Sequence, residues 1–263
     1  MKQILIAVTA ALMLAACGQA ARQEEAPAPV AAEVAADAPH IVAAVADSRR
    51  PAADTERDAN RHPAETLAFA RIEPGDRVAD IFPGSGYWTR MFAVAVGDTG
   101  RVYPTIRPEG VSGDYENPVL AVAAQYPNAT MARVPYDALA FPEPLDVIFT
   151  AQNYHDMAIT SYNLGNRDAM NRAAFAALKP GGLYVIIDHS AVDGSPVQTE
   201  DNPATTHRID QATVRREVEA AGFVFDSEAN FLRNPADPRT ASVFDEAIRG
   251  RTDQFVMRFR KPE

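Results

Sequence analysis

Cysteine is almost missing from this sequence: Cys17 is the only one in 263 residues. A single thiol makes no intramolecular disulfide, and no cysteine pair is left to hold zinc. Positive charge is also short, with 25 Lys and Arg against 35 Asp and Glu and a formal net charge of -10. That balance argues against non-specific binding to nucleic acid, whose phosphates need Lys and Arg, and against a basic membrane-surface patch. The N-terminal apolar run, "ILIAVTAALML", falls short of the ~20 residues that a permanent membrane helix needs. No internal repeat is present. What the chain does have is 47% hydrophobic residues, ample for a core, in a length that suits one large domain.

The N-terminus explains the lone thiol. Lys2, the apolar run and the small residues before Cys17 have the order of an export signal. Leu14-Ala15-Ala16-Cys17 resembles the lipobox of bacterial lipoproteins, which implies cleavage before Cys17 and a lipid on its thiol. An ordinary secretory signal cut near Ala16 is the alternative. Gly18 follows the cysteine, where an aspartate would have hinted at inner-membrane retention. The expectation is therefore an envelope protein facing the periplasm, held at the outer membrane by its N-terminal lipid alone. Residues 1–16 read as the signal peptide and 17–40 as the lipidated cysteine with a flexible tether, because "EEAPAPVAAEVAADAP" buries little. Residues 41–263 read as the folded domain.

Within that domain strands and helices alternate. "RVADIF", "GRVYPTI", "ATMARV", "LDVIFT", "LYVIIDH", "FVFDSEANFL" and "QFVMRFRKP" read as strands. "YWTRMFAVAV", "NPVLAVAAQYP", "NRDAMNRAAFAALKPGG" and "DQATVRREVEAAG" read as helices, the third with Met170, Ala174, Ala177 and Leu178 on one stripe. Such alternation predicts a doubly wound α/β domain, mostly parallel, with an antiparallel last strand. Ligands then bind beyond the carboxyl ends of the strands at the topological switch point. The charged stretch "DTERDANRHP", residues 54–63, reads first as a solvated helix face and second as a lid bringing Arg57, Asp58 and Arg61 to the site.

The segment "VADIFPGSGYWT" has the strand–glycine turn–helix order of a ligand loop. Thr89 stands where a dinucleotide fingerprint has its third glycine, which counts against nicotinamide and flavin. The succession "RVADIFPGSGYWTRMFA", "GRVYPTI", "LDVIFTAQNYHDM", "ALKPGGLYVIIDH", "FVMRFRK" resembles the class I methyltransferases that use S-adenosylmethionine, over roughly residues 64–263. More narrowly, the chain looks like exported, methyltransferase-like bacterial lipoproteins. The resemblance implies a seven-stranded Rossmann-like sheet and S-adenosyl-L-methionine as cofactor. It implies cofactor contacts from Asp80, Gly84, Ser85, Gly86, Asp137 and Asn153. Two positions depart from the pattern. Phe82 occupies the place of the first glycine, where closeness rather than positive φ is expected to matter, so that the ring narrows the cleft. No acid aligns at the end of the second strand, where ribose is usually held, and Glu109 is the reserve candidate.

"NYHDM" and "IDHS" end successive strands and "THRID" precedes a helix, so His155, His189 and His207 converge on one predicted rim. Two roles compete for them. As a base, His155, with Tyr154 and Asp156 beside it, takes a proton from an attacking hydroxyl, thiol or amine. As ligands, His155, Asp156, His189 and His207 suit zinc or iron, although no compact spacing motif supports this and no metal is the first expectation. The leading function is methyl transfer to a small-molecule acceptor. The alternative is a repurposed fold, an envelope binding protein or metal-assisted enzyme, since the methyl donor is made in the cytoplasm and this chain carries an export signal.

Overall fold

The computed structural model describes residues 33–108 and 113–263, with side chains in the second stretch from Pro118 onward. Cys17, the lipobox and Glu109 lie outside the described residues. Seven strands form one sheet: β1 (Arg77–Ile81), β2 (Arg101–Ile106), β3 (Ala132–Arg133), β4 (Leu145–Ala151), β5 (Leu178–His189), β6 (Val224–Ala229) and β7 (Gln254–Arg260). Their order is β3-β2-β1-β4-β5-β7-β6. The first five are parallel, and β7 lies antiparallel between β5 and β6. The chain winds outward from β1 in one direction and from β4 in the other, so the switch point falls at the carboxyl ends of these two strands.

Strand alternation gives each face of the sheet its own core. Val78, Val102, Phe149 and Val185 face α1 (Pro39–Val45), α4 (Pro63–Phe69) and α5 (Tyr87–Ala95), meeting Ile41, Leu67, Met91 and Phe92. The same face takes Val122 and Tyr126 from the segment of α6 (Gly113–Gln125) and the turn after it. Ala79, Ile81, Ile148 and Ile186 face α7 (Arg167–Ala177) and α8 (Gln211–Ala220), meeting Met170, Ala174, Val214 and Val218. Each such buried aliphatic or aromatic side chain stabilises the fold by ~1.5–3 kcal/mol. Side chains fix two helix starts: Asn166 accepts the Ala169 amide before α7, and Asp210 accepts the Ala212 amide before α8.

Four sequence expectations need correction. The folded body begins by residue 33, not 41: Val34, Ala36 and Ala38 pack on the core, and Glu33 binds Arg258 and Arg71. Composition misses this because alanine is neutral between tether and packed turn. "ATMARV" supplies only the two-residue β3, at the sheet edge. Lys179–Gly182 does not end a helix; α7 stops at Ala177, and these residues form an irregularity in β5, whose pairing jumps from Leu145–Leu178 to Val147–Leu183.

The fourth concerns residues 54–63, which are not a solvated face. Short helices α2 (Ala52–Thr55) and α3 (Asp58–Arg61) lie on α5. Buried Asp54 pairs with Arg90 at 2.8 Å and Arg57 at 2.7 Å. Asp58 accepts the Tyr87 hydroxyl at 2.6 Å and binds Arg50. Arg61 lies over the Tyr87 ring and donates to Gln152 at 2.7 Å, just past β4. The segment is a strap across the sheet's carboxyl edge.

Candidate active site

The glycine turn follows β1 directly. Asp80 is buried beneath it and accepts the Thr89 hydroxyl at 2.6 Å and the Thr89 amide. It therefore caps the start of α5 and shapes the turn from behind, a positioning role rather than the direct cofactor contact implied by the resemblance. Burial raises its pKa to about 7, against the lowering effect of Thr89 and Arg61. The unfolded carboxyl titrates lower, so the folded state holds the proton more tightly. Stability from this group is full at low pH and is lost as pH rises from about 4 to about 7, by at most about 4 kcal/mol. Asp80→Asn should remove that slope: between pH 5 and pH 8 the thermal midpoint of the variant should fall several degrees less than that of the parent.

Phe82 corrects a second expectation. Its φ is 58°, so the position does require the left-handed conformation in which glycine is free and phenylalanine is strained by roughly 1–3 kcal/mol. The ring lies against Tyr136, with centroids 3.9 Å apart, and lines the cleft without filling it. Gly84 has φ 56°, and a Cβ there would meet no protein atom within 4 Å. Ser85 is exposed, and its carbonyl accepts the Arg90 guanidinium at 2.9 Å.

Beyond β4 the chain turns sharply at Gln152, φ 64°, into a 3-10 turn (His155–Ala158). This turn splits the "NYHDM" cluster. Asn153 and Asp156 face the cleft. Tyr154 faces the core under α8, where its hydroxyl donates to Glu217 at 2.9 Å and accepts from Asn171 at 2.8 Å. It is thus structural, not catalytic. His155 is buried between two carboxylates, with Nδ1 2.7 Å from Asp188 and Nε2 3.1 Å from Asp156. Burial alone would push its pKa down, but Asp188 and Asp156 outweigh it and raise it to about 10. An imidazolium with both nitrogens engaged is not a free base, so the role given to His155 by sequence does not fit.

His207 stands on the other side of Asp156, Nδ1 to Oδ1 at 3.1 Å, with φ 56°. Unlike His155, it lines the cleft. His189 bonds Thr252 at 2.6 Å, and burial, with neighbouring cationic groups, pushes its pKa well below the usual range. The rings of His189 and His207 lie 5.8 and 5.6 Å from that of His155. All three histidines do converge, yet only His207 reaches the cavity wall.

That cavity has a volume of about 580 Å³, in the range of small-molecule sites. Phe82 and Gly84 line it from the turn, Thr105 and Arg107 from the end of β2, and Asp156 and His207 from the polar corner. Asp137 is half-buried beside Gly165 and is not among the lining residues; its neighbour Tyr136 is. Backbone strain gathers around this space: Phe82, Gln152, Asn163 and His207 all have positive φ, a pattern that clusters at functional sites.

Solved structures that share this topology, with β7 inserted antiparallel, include several methyltransferases. The fold is that of the class I methyltransferases. An S-adenosylmethionine-dependent methyltransferase from Aquifex aeolicus superposes with a TM-score of 0.56 at 16% identity, over 81% of this chain and 98% of its own. One from Mesorhizobium loti gives 0.54 at 17%, over 78% and 99%. The [4+2]-cyclase SpnF gives 0.55 at 17%, over 82% and 85%, so the fold by itself does not settle the reaction. Among curated proteins, the ubiquinone/menaquinone biosynthesis C-methyltransferase UbiE of Burkholderia vietnamiensis is 31% identical over 132 residues, 49% of each chain. The chain thus spans about half the length of the curated relatives it matches. No family model matches.

Sequence reasoning missed Arg107, Tyr162 and Phe244 on the cavity wall. Arg107 could have been found, because it ends the apolar run of β2, whose carboxyl end opens on the switch point. Phe244 lies in an irregular stretch with no periodic signal.

Proposed function

We propose that this chain transfers a methyl group from S-adenosyl-L-methionine to a small-molecule acceptor. The observation that carries the proposal is that one cavity joins the open Gly84 turn to the Asp156–His207 corner. The residues present fit the cofactor. Gly84 leaves open space at the turn, Phe82 and Tyr136 offer aromatic surface, and Asn153 and Thr105 offer polar groups at the strand ends. At the end of β2 the wall carries Ile106 and Arg107 rather than an acid. When bound, the cofactor supplies an electrophilic methyl on a sulfonium.

The chain's own residues then have three tasks. The turn and Tyr136 fix the donor. Tyr162, Leu164 and Phe244 give the acceptor apolar contact and exclude water. Asp156 and His207 orient its nucleophilic atom by hydrogen bonds, and the ring of His207 takes its proton on the way to solvent. Holding the two reactants in line can supply much of the rate, up to ~7–11 kcal/mol of the barrier. The similarity to UbiE supports a small acceptor. Lipid anchoring in the envelope is part of the same proposal and rests on residues 2–17.

Calorimetric titration of the full chain with S-adenosylmethionine, and with its demethylated product in competition, tests the cofactor. One site of micromolar affinity for both is expected. No heat from either overturns methyl transfer and selects the repurposed binding fold.

A further inference from the structure

We propose that His155, Asp156 and His207 form a binding site for one divalent transition-metal ion of the zinc or iron(II) type, open to the cavity. Three facts converge on it. First, the three side chains bring Nε2 of His155, a carboxylate oxygen of Asp156 and a ring nitrogen of His207 within 4.8 Å of one another. Asp156 Oδ1 is 3.1 Å from His155 Nε2 and 3.1 Å from His207 Nδ1. Ligand atoms ~2.1 Å from a common ion and near a right angle apart are about 3 Å from each other, so little movement is needed.

Second, the outer partners are already in place. Asp188 is fully buried and grips His155 Nδ1 at 2.7 Å, which fixes the ring with Nε2 toward Asp156. Its own oxygens are aimed by the main-chain amides of His155 at 2.8 Å and His189 at 2.7 Å. A carboxylate behind a ligating imidazole orients the ring and raises its basicity. Third, the corner has surplus negative charge. Asp156 and Asp188 are joined by Asp201, 3.9 Å from His207 Nε2, while the nearby Arg208 is committed to Asp237.

His189 is not a ligand, because its Nδ1 is held by Thr252. Two imidazoles and one carboxylate suit zinc or iron(II) and leave coordination positions free. Since Asp156 and His207 line the cavity, those positions face it. On binding, the ion takes the place of the hydrogen bonds that now join both rings to Asp156, each ring turning a nitrogen lone pair to the metal. An oxygen of a cavity ligand would complete the coordination.

The site does not depend on the methyl-transfer reading, and its test uses no cofactor. The full chain, carrying Cys17→Ser to remove the only thiol, is purified without chelator and analysed for metals. It is then stripped and titrated with zinc(II) against a chromophoric chelator. About one equivalent of metal per chain and submicromolar zinc affinity are expected. His207→Ala and Asp156→Asn should each weaken zinc at least 100-fold, whereas His189→Asn should change it less than 5-fold. X-ray absorption at the zinc edge should count two histidines. If the variants lose their thermal transition, the parent's stoichiometry and histidine count still decide. Substoichiometric metal with micromolar or weaker zinc affinity in the parent, or equal affinity in parent and His207→Ala, overturns the site. Cofactor titration of the stripped protein separates the two proposals, since it can succeed where the zinc titration fails.

Discussion

Gly86→Ala should destabilise the protein by about 2–5 kcal/mol, while Gly84→Ala, two residues away, should cost only about 1–2 kcal/mol and act instead on the ligand. Both glycines have positive φ, 81° and 56°. That conformation alone costs a side chain roughly 1–2 kcal/mol. The positions differ in what surrounds them. At Gly86 a Cβ would come within 2.6 Å of Val122 Cγ2, so the first turn of α5 and the α6 segment must separate. Overpacking of this kind adds roughly 1–3 kcal/mol. At Gly84 a Cβ meets no protein atom, and the space belongs to whatever occupies the cavity. Thermal melting and calorimetry divide the two effects. Gly86→Ala should lower the midpoint by roughly 5–15 °C. Gly84→Ala should move it by only a few degrees and weaken S-adenosylmethionine at least tenfold. Equal midpoints for the two variants would refute the contrast.

Asp54→Ala should be among the most damaging single changes, at about 3–5 kcal/mol. Its carboxylate is buried and serves two guanidinium groups, Arg90 at 2.8 Å and Arg57 at 2.7 Å. Arg90 is buried too, and removal of its partner strands a charge away from water. Arg90 also holds the carbonyl of Ser85, so the strap and the glycine turn share one cation. The variant should therefore lose cofactor affinity as well as stability, although no atom of Asp54 lines the cavity. Asp193→Ala supplies the contrast. Its pair with Arg239 lies at the surface, with Asp193 91% exposed, and its loss should change stability by less than about 1 kcal/mol. Urea denaturation of the three proteins checks the ranking.

The sheet was legible from sequence because period and punctuation agree along most of the chain. "LDVIFT" is a central strand whose Val147-Ile148-Phe149 run is unbroken by polar residues, and Gly97 closes α5 with φ 64°, as a terminal glycine should. The β3 edge was overestimated, since "ATMARV" is apolar enough for a strand but has only one neighbour to pair with. At the site, residue types were legible and directions were not. "NYHDM" places four polar or aromatic groups at one strand end, and sequence treats them alike. The 3-10 turn sends Asn153 and Asp156 to the cavity, and Tyr154 with Met157 to the core. A period of three rather than two governs those residues, and no local signal announces the change. The strap was misread for a related reason. Charge density suggests water, but Asp54 and Asp58 meet cations from outside the segment, Arg90 and Arg50, while Glu56 stays exposed.

The place of β7 has a consequence for how the molecule is made. Its seven residues, Gln254–Arg260, follow β6 in the chain, yet they separate it from β5. Until they emerge, β5 has one naked edge and β6 has no neighbour in the sheet. A ribosome stalled at residue 250 would therefore carry a five-stranded half-product with a sticky border, open to chaperones and proteases. The sheet can close only once β7 has left the ribosome.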